Sequence, residues 1–120
     1  MRVVVIGANG QLGTDMCGEY EAGGHDVLRL NHDHVDVSDL QTLRAVLTAR
    51  EPDLVINTAA MHHVENCEED VSTAFAVNAV GPRHLAQLSN EIGYSLVHVS
   101  TDYVFDGKKG APYSEDDEPL

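Results

Sequence analysis

Cysteine is scarce in this chain, with only Cys17 and Cys67 among 120 residues. Two are too few for a disulfide scaffold, so a reduced chain is expected. Basic residues are few relative to acids: seven Lys and Arg against twenty Asp and Glu, a formal net charge of -13. Such a chain repels a phosphate backbone and cannot build a basic groove, which argues against nucleic acid as a partner. Long apolar runs are missing as well. After Met1 and Arg2 the run Val3 to Ile6 is too short for a signal peptide or a membrane span, so no membrane partner and a cytoplasmic location are expected. The length allows one domain and no second full one. With four prolines, ten glycines and 42% hydrophobic residues, the composition is that of a globular protein with a core.

What is present alternates in period. Val3-Val4-Val5-Ile6 is β-branched throughout and stops at Gly7, the pattern of a strand buried on both faces. From Gln11, apolar Leu12, Met16 and Tyr20 recur every fourth residue, and Gly23-Gly24 stops that helix. Asp26 to Leu30 reads as a second strand, and Val35 to Val37 as a short third. Ser38 with Gln41 predicts a capping box for a helix through Leu40, Leu43 and Leu47, ended by Glu51-Pro52. Leu54 to Ile56 is a further strand. Asp70 can cap a long helix reaching Ile92, with Phe75, Asn78, Leu85, Leu88 and Ile92 along one side and Pro82 kinking or breaking it. Leu96 to Val99 is the last strand. Strands alternating with helices predict an α/β Rossmann fold, a doubly wound parallel sheet of order 3-2-1-4-5. After Gly107 an acidic stretch predicts a solvated loop.

Gly7-Ala8-Asn9-Gly10-Gln11-Leu12-Gly13 lies between the first strand and the first helix. In that position a dinucleotide pyrophosphate would rest on backbone N–H groups at the positive end of the helix dipole. Gly7 permits the tight turn, Gly10 removes a Cβ that would block the phosphate, and Gly13 lets helix pack on strand. No Gly-Lys-Ser/Thr follows, so this is not a Walker loop. A Rossmann fold usually has an acid at the end of strand two to grip the ribose of NAD. Asn31 stands there, followed by His32, which if protonated would attract a 2′-phosphate and otherwise is a solvated loop histidine. Both NADP and NAD remain open as cofactors.

These residues, together with Asp36-Val37, Asn57-Thr58-Ala59-Ala60, Val64-Glu65, Cys67-Glu68, Val77-Asn78-Ala79 and Ser100-Thr101-Asp102-Tyr103-Val104-Phe105-Asp106-Gly107, resemble the extended short-chain dehydrogenase/reductases. Within them the chain is similar to the dTDP-4-dehydrorhamnose reductase group, which reduces 4-keto sugar nucleotides. The resemblance implies that Asp36 and Val37 lie beside the adenine and that Thr58, Ala59 and Ala60 form a floor of small side chains under the cofactor's ribose and phosphates. It implies that Asn78 lies near the active site and Ser100 on the cofactor side. By the same resemblance Thr101 hydrogen-bonds the substrate carbonyl, with Asp102, Tyr103, Val104 and Phe105 on the substrate side.

In the resembled family a Tyr-x-x-x-Lys follows the acidic loop and delivers the proton. Tyr94, Tyr103 and Tyr113 each lack a lysine four residues on. The expectation is therefore the cofactor-binding part of a reductase, incomplete at its C-terminus and inactive alone. The alternatives are a regulatory cofactor-binding module resembling the beta subunit of methionine adenosyltransferase, or an inactive truncated product. A sugar-nucleotide substrate is expected once a C-terminal part completes it, and a homo-oligomer is left open. His32-Asp33-His34-Asp36 and His62-His63-Cys67-Glu68 contain metal-ligating types, but neither has clean zinc spacing, so no metal is expected. Cys17 reads as packing, and Cys67, among acids, lacks the positive neighbour a nucleophile needs. Two lysines among so many acids also fit adaptation to high salt.

Overall fold

The computed structural model describes residues 1–120. In chain order the elements are β1 (Arg2–Ile6), α1 (Gln11–Ala22), β2 (Asp26–Leu30), α2 (Leu40–Arg50), β3 (Leu54–Asn57), α3 (Val64–Glu69), α4 (Val71–Phe75), a π-helical turn (Ala76–Val80), α5 (Gly81–Ile92), β4 (Ser95–His98) and a 3₁₀ turn (Asp102–Val104). All four strands are parallel, in the order β2-β1-β3-β4. No helix is long and apolar enough to cross a membrane.

Alternation along the central strands sends side chains to two cores. Val4, Ile6 and Val55 meet Leu43 and Leu47 of α2 and Leu85 and Leu88 of α5 on one face, while Val3, Val5 and Ile56 meet Cys17 of α1 on the other. This is why β1 is apolar after Arg2: a polar residue at any of its last four positions would be buried. Each of those four leucines is fully buried, a contribution of about 1.5 to 3 kcal/mol apiece. On α1 the buried stripe is Gly13 and Cys17, with Met16 and Tyr20 packed at its border and Leu12 exposed. Burial pushes the Cys17 thiol pKa up, in keeping with a packing role.

Four expectations change in detail. Val35 to Val37 forms no strand, so the expected order keeps its 2-1-4-5 members and β2 is the sheet edge. The backbone there is captured locally: the Asn31 carbonyl accepts from the His34 and Val35 N–H groups, and the Asn31 side chain accepts from Asp33 N–H. Val35 and Val37 still bury their side chains in the core. Second, α2 is capped by Asp39, whose carboxylate accepts from Gln41 and Thr42 N–H and from the Thr42 hydroxyl. Ser38 instead donates to Asp36, at 2.8 Å from its N–H and 2.7 Å from its hydroxyl.

Third, Asp70 caps as expected, but the helix behind it is not one α-helix. Its residues stay helical through a π turn in which Gly81 N–H reaches back to the Ala76 carbonyl. Pro82 then sits in the first turn of α5. Proline has no N–H to offer and its ring crowds the carbonyl four residues back, and the wider turn just before it relieves both problems. Phe75 is 65% exposed, while Leu85 and Leu88 are fully buried. Fourth, Val64–Glu69 is a short helix that the sequence reading did not anticipate. The segment after Gly107 is exposed as expected, apart from Asp117, and is pinned by stacking of Phe105 on Tyr113 and an ion pair between Lys109 and Asp117.

Candidate functional site

The carboxyl ends of β1, β3 and β4 open onto two adjoining cavities of about 560 and 430 Å³. Doubly wound sheets place ligands at this end. Ala59, Ala60, Met61 and His62 line both, so the loop after β3 is their shared wall.

The floor of the first cavity is the glycine turn. Gly7 and Ala8 N–H groups both donate to the Leu30 carbonyl, which folds the turn over the end of β2. Gly7 has φ 81°, and a Cβ there would lie 2.7 Å from Ala59 N. A Cβ on Gly13 would lie 2.1 Å from the Gly7 carbonyl oxygen and 2.9 Å from Thr58 Oγ1. Gly13 therefore packs α1 on the turn itself. Gly10 differs: its backbone is extended, and an added Cβ would meet only the Gly7 oxygen, at 3.3 Å. No side chain caps α1 at Gly10, so the N–H groups of its first turn keep their hydrogens for another acceptor.

Thr58 ties β3 to this turn. Its N–H donates to the Ile6 carbonyl at 2.9 Å, and its hydroxyl shares a hydrogen between the Ile6 and Gly7 carbonyls at 2.9 and 3.2 Å. Ten of the sequence candidates line the first cavity: Gly7, Asn9, Gly10, Asn31, His32, Asp36, Val37, Thr58, Ala59 and Ala60. Asn31 and Asp36 use their side-chain oxygens on Asp33 and Ser38, and His32 stands exposed next to Asp33. No lysine or arginine lines either cavity.

Asn78, Ser100, Thr101 and Tyr103 line the second cavity with Ala59 and Ala60. The π turn presents Asn78 to the shared wall. Its Oδ1 accepts from Met61 N–H at 2.8 Å while its Nδ2 donates to the Met61 carbonyl at 2.9 Å. Cys67 Sγ donates to the same carbonyl at 3.2 Å. Thr101 Oγ1 accepts from Tyr103 N–H at 3.2 Å, and its own hydrogen is held only by a long bond to Asp102 Oδ1 at 3.4 Å.

Gln11, Leu12, Gly13, Asp102, Val104 and Phe105 lie outside both cavities, the first three in the first turn of α1 and the others in the loop after β4. The sequence reading missed Met61 and Thr73 in the first cavity and His98 and Val99 in the second; it named Val77 only within the family motif and His62 only among metal-ligating types. It did name Cys67, which lines the second cavity, but as a residue without a catalytic role. No three His, Cys, Asp or Glu side chains converge to hold a metal ion.

Residues 1–120 match the family described as RmlD substrate binding domain. A dTDP-4-dehydrorhamnose reductase of Mycobacterium tuberculosis is 41% identical over 121 residues, covering 98% of this chain and 39% of that protein. The structure of a Bacillus anthracis dTDP-4-dehydrorhamnose reductase in complex with NADP superimposes with a TM-score of 0.93 at 33% identity, covering 99% of this chain and 43% of the other. A Thermus thermophilus UDP-glucose 4-epimerase complex with NAD gives a TM-score of 0.89 at 25% identity, covering 100% and 44%. The chain thus spans about two fifths of the length of the curated relatives it matches.

Proposed function

The chain belongs to the RmlD substrate binding domain family, and from that premise we propose that residues 1–120 are the NAD(P)-binding Rossmann part of a nucleotide-sugar reductase acting in the cytoplasm on a 4-keto sugar nucleotide. The observation that carries this reading is Gly10. The protein's own packing demands glycine at 7 and 13, where a Cβ would strike backbone within 3.0 Å, but far less at 10, where it would only crowd the Gly7 carbonyl oxygen at 3.3 Å. A glycine with so slight an internal demand, over a cavity and before an uncapped helix, fits a turn that leaves room for a pyrophosphate.

In this reading the first cavity takes the adenosine end, with Asp36 and Val37 beside the adenine and Thr58, Ala59 and Ala60 beneath the ribose and phosphates. The absence of cationic side chains leaves phosphate charge to backbone N–H groups. Either NADP or NAD fits, since neither an acid nor an arginine stands at the end of β2 to choose between them. The bound cofactor supplies a hydride. Thr101, in the second cavity, turns its hydroxyl hydrogen from the long bond to Asp102 onto the substrate carbonyl and holds it there. Residues 1–120 contain no Tyr-x-x-x-Lys, and a positioned general acid is worth about 10² to 10⁴ in rate. The proton that completes reduction is therefore assigned to a C-terminal part of the reductase.

The test is turnover. Residues 1–120 joined to a family C-terminal part carrying Tyr-x-x-x-Lys should oxidise NADPH with dTDP-4-dehydrorhamnose, and Thr101→Val should depress that activity. Robust turnover by residues 1–120 alone would overturn the assignment of the proton donor. Absence of turnover in every such fusion that folds would overturn the reductase reading.

A further inference from the structure

Asn57 is the one fully buried polar side chain of the core, at 0% exposure. It ends β3 and stands opposite His98, which ends β4. Two hydrogen bonds fix its amide: Oδ1 accepts from Ala59 N–H at 3.1 Å, and Nδ2 lies 3.1 Å from His98 Nδ1. The Ala59 N–H is a backbone group that can only donate, so the oxygen of Asn57 must face it and the NH₂ must face His98. His98 Nδ1 is then an acceptor. An imidazole that accepts at Nδ1 carries its hydrogen at Nε2. The alternative tautomer would set N–H against N–H at a buried amide that has no other partner, at the cost of an unsatisfied buried donor.

His98 makes no other side-chain hydrogen bond and no ion pair, and it lines the second cavity beside Ser100 and Thr101. We infer that His98 is a binding residue: the Ala59–Asn57–His98 relay locks its Nε2–H tautomer and makes it a fixed hydrogen-bond donor to a carbonyl oxygen of the molecule occupying that cavity. Asn57 is the positioning residue, acting only through the ring. The same chemistry is offered by a nicotinamide carboxamide and by the ketone of a sugar, so a carbonyl is the group recognised. This assignment rests on reading the second cavity as the reacting end of the cofactor and sugar site. Its first half, the tautomer, does not.

The tautomer is read directly from two-bond proton–nitrogen correlation spectra of protein labelled with ¹⁵N-histidine, the His98 signal being assigned by its loss in His98→Asn. The expected result is a protonated Nε2 and a bare Nδ1. In Asn57→Asp, a carboxylate that only accepts should move the hydrogen to Nδ1. A wild-type His98 protonated at Nδ1, or a mixture of tautomers like that of free imidazole, overturns the lock whether or not the variant folds.

The donor is tested by His98→Asn, whose Oδ1 takes the place of Nδ1 and keeps the bond to Asn57 while deleting the outward N–H. Its affinity for NADPH or for dTDP-4-dehydrorhamnose should fall about three- to tenfold, the range expected for one neutral hydrogen bond. Affinity for 2′-phospho-ADP-ribose, which lacks the nicotinamide, should be unchanged. A loss confined to NADPH identifies the carboxamide, and one confined to the sugar nucleotide identifies the ketone. Unchanged affinity for both overturns the donor role and leaves His98 as a tie between strands. A wild-type protein that binds neither nucleotide refutes the cofactor reading instead, and the His98 resonance then decides the lock alone.

Discussion

Replacing the glycines of the turn one at a time separates what the fold needs from what a ligand needs. At Gly13 an alanine Cβ would sit 2.1 Å from the Gly7 carbonyl oxygen, an overlap with backbone that must be relieved by moving α1 off the turn. Overpacking of this kind costs about 1 to 3 kcal/mol or more. At Gly10 the nearest atom would be 3.3 Å away and the backbone is extended, at φ -76° and ψ 172°. Losing glycine for alanine at this helix N-cap costs roughly 0.5 to 1 kcal/mol, the difference between the two as caps. Stiffening the unfolded chain returns about 0.4 to 1 kcal/mol. The two nearly cancel, and the Gly7 oxygen needs to give only a few tenths of an ångström, so Gly10→Ala should melt within about 5 °C of the wild type, using the midpoint shift per kcal/mol of domains near this size. Binding should respond in the opposite order. A branched Cβ at 10 keeps a phosphate off the N–H groups, and one lost charge-assisted hydrogen bond, about 1.5 to 3 kcal/mol, raises Kd about 10- to 150-fold. Thermal melts with NADPH titration calorimetry on Gly10→Ala, Gly10→Val and Gly13→Ala give the comparison. Wild-type affinity in Gly10→Val, or unfolding of Gly10→Ala as severe as that of Gly13→Ala, would refute the reasoning.

Asn78→Ala removes both bonds to Met61, and at about 0.5 to 1.5 kcal/mol each the Met61 amide should exchange its hydrogen at least several-fold faster while global stability changes less. Unaltered exchange would show that the clamp does not order the shared wall. Asp39 and Asp70 are held below the ordinary carboxylate value of 3.8, chiefly by hydrogen bonds from Thr42 and Thr73. Their stabilisation is complete above that value and lost as pH falls through their lower folded values. The double variant Asp39→Asn, Asp70→Asn should therefore lose less of its melting temperature on acidification than the wild type, and equal losses would count against the caps. β4 is a free sheet edge, with Val97 46% exposed and Val99, just past its end, 40% exposed. Residues 1–120 should self-associate, more so as salt screens the net charge of -13. A monomer by light scattering at both low and molar salt would contradict this.

The parts of the fold legible in sequence are those where a local pattern and the tertiary outcome share one cause. Val3 to Ile6 and Leu54 to Ile56 are apolar at successive positions because helices cover both faces of the sheet there. The apolar pair Val35 and Val37 carries the same signature for a different reason. Both side chains reach the core, but the Asn31 turn takes the hydrogen bonds that a strand would need. Ser38 and Asp39 are both capping residues, and only the hold of Asp36 on Ser38 decides between them. Proline at 82 announces a disturbance in the helix without saying that it takes the form of a π turn. In the site, the glycine turn is local and readable. Met61, His98 and the buried amide of Asn57 come together through pairing of β3 with β4 and through the reach of Asn78 across the loop. Those contacts join residues 17 and 41 positions apart, beyond any local spacing rule.

The central claim, that the glycine turn and the wall after β3 hold a dinucleotide, is tested most directly by titrating NADPH and NADH into ¹⁵N-labelled protein and following the backbone amides. The account predicts saturable shifts concentrated at Gly7 to Gly13, Asp36 and Thr58 to Ala60, absent in Gly10→Val. Shifts confined to other surfaces, or none with either cofactor at millimolar concentration, would contradict it.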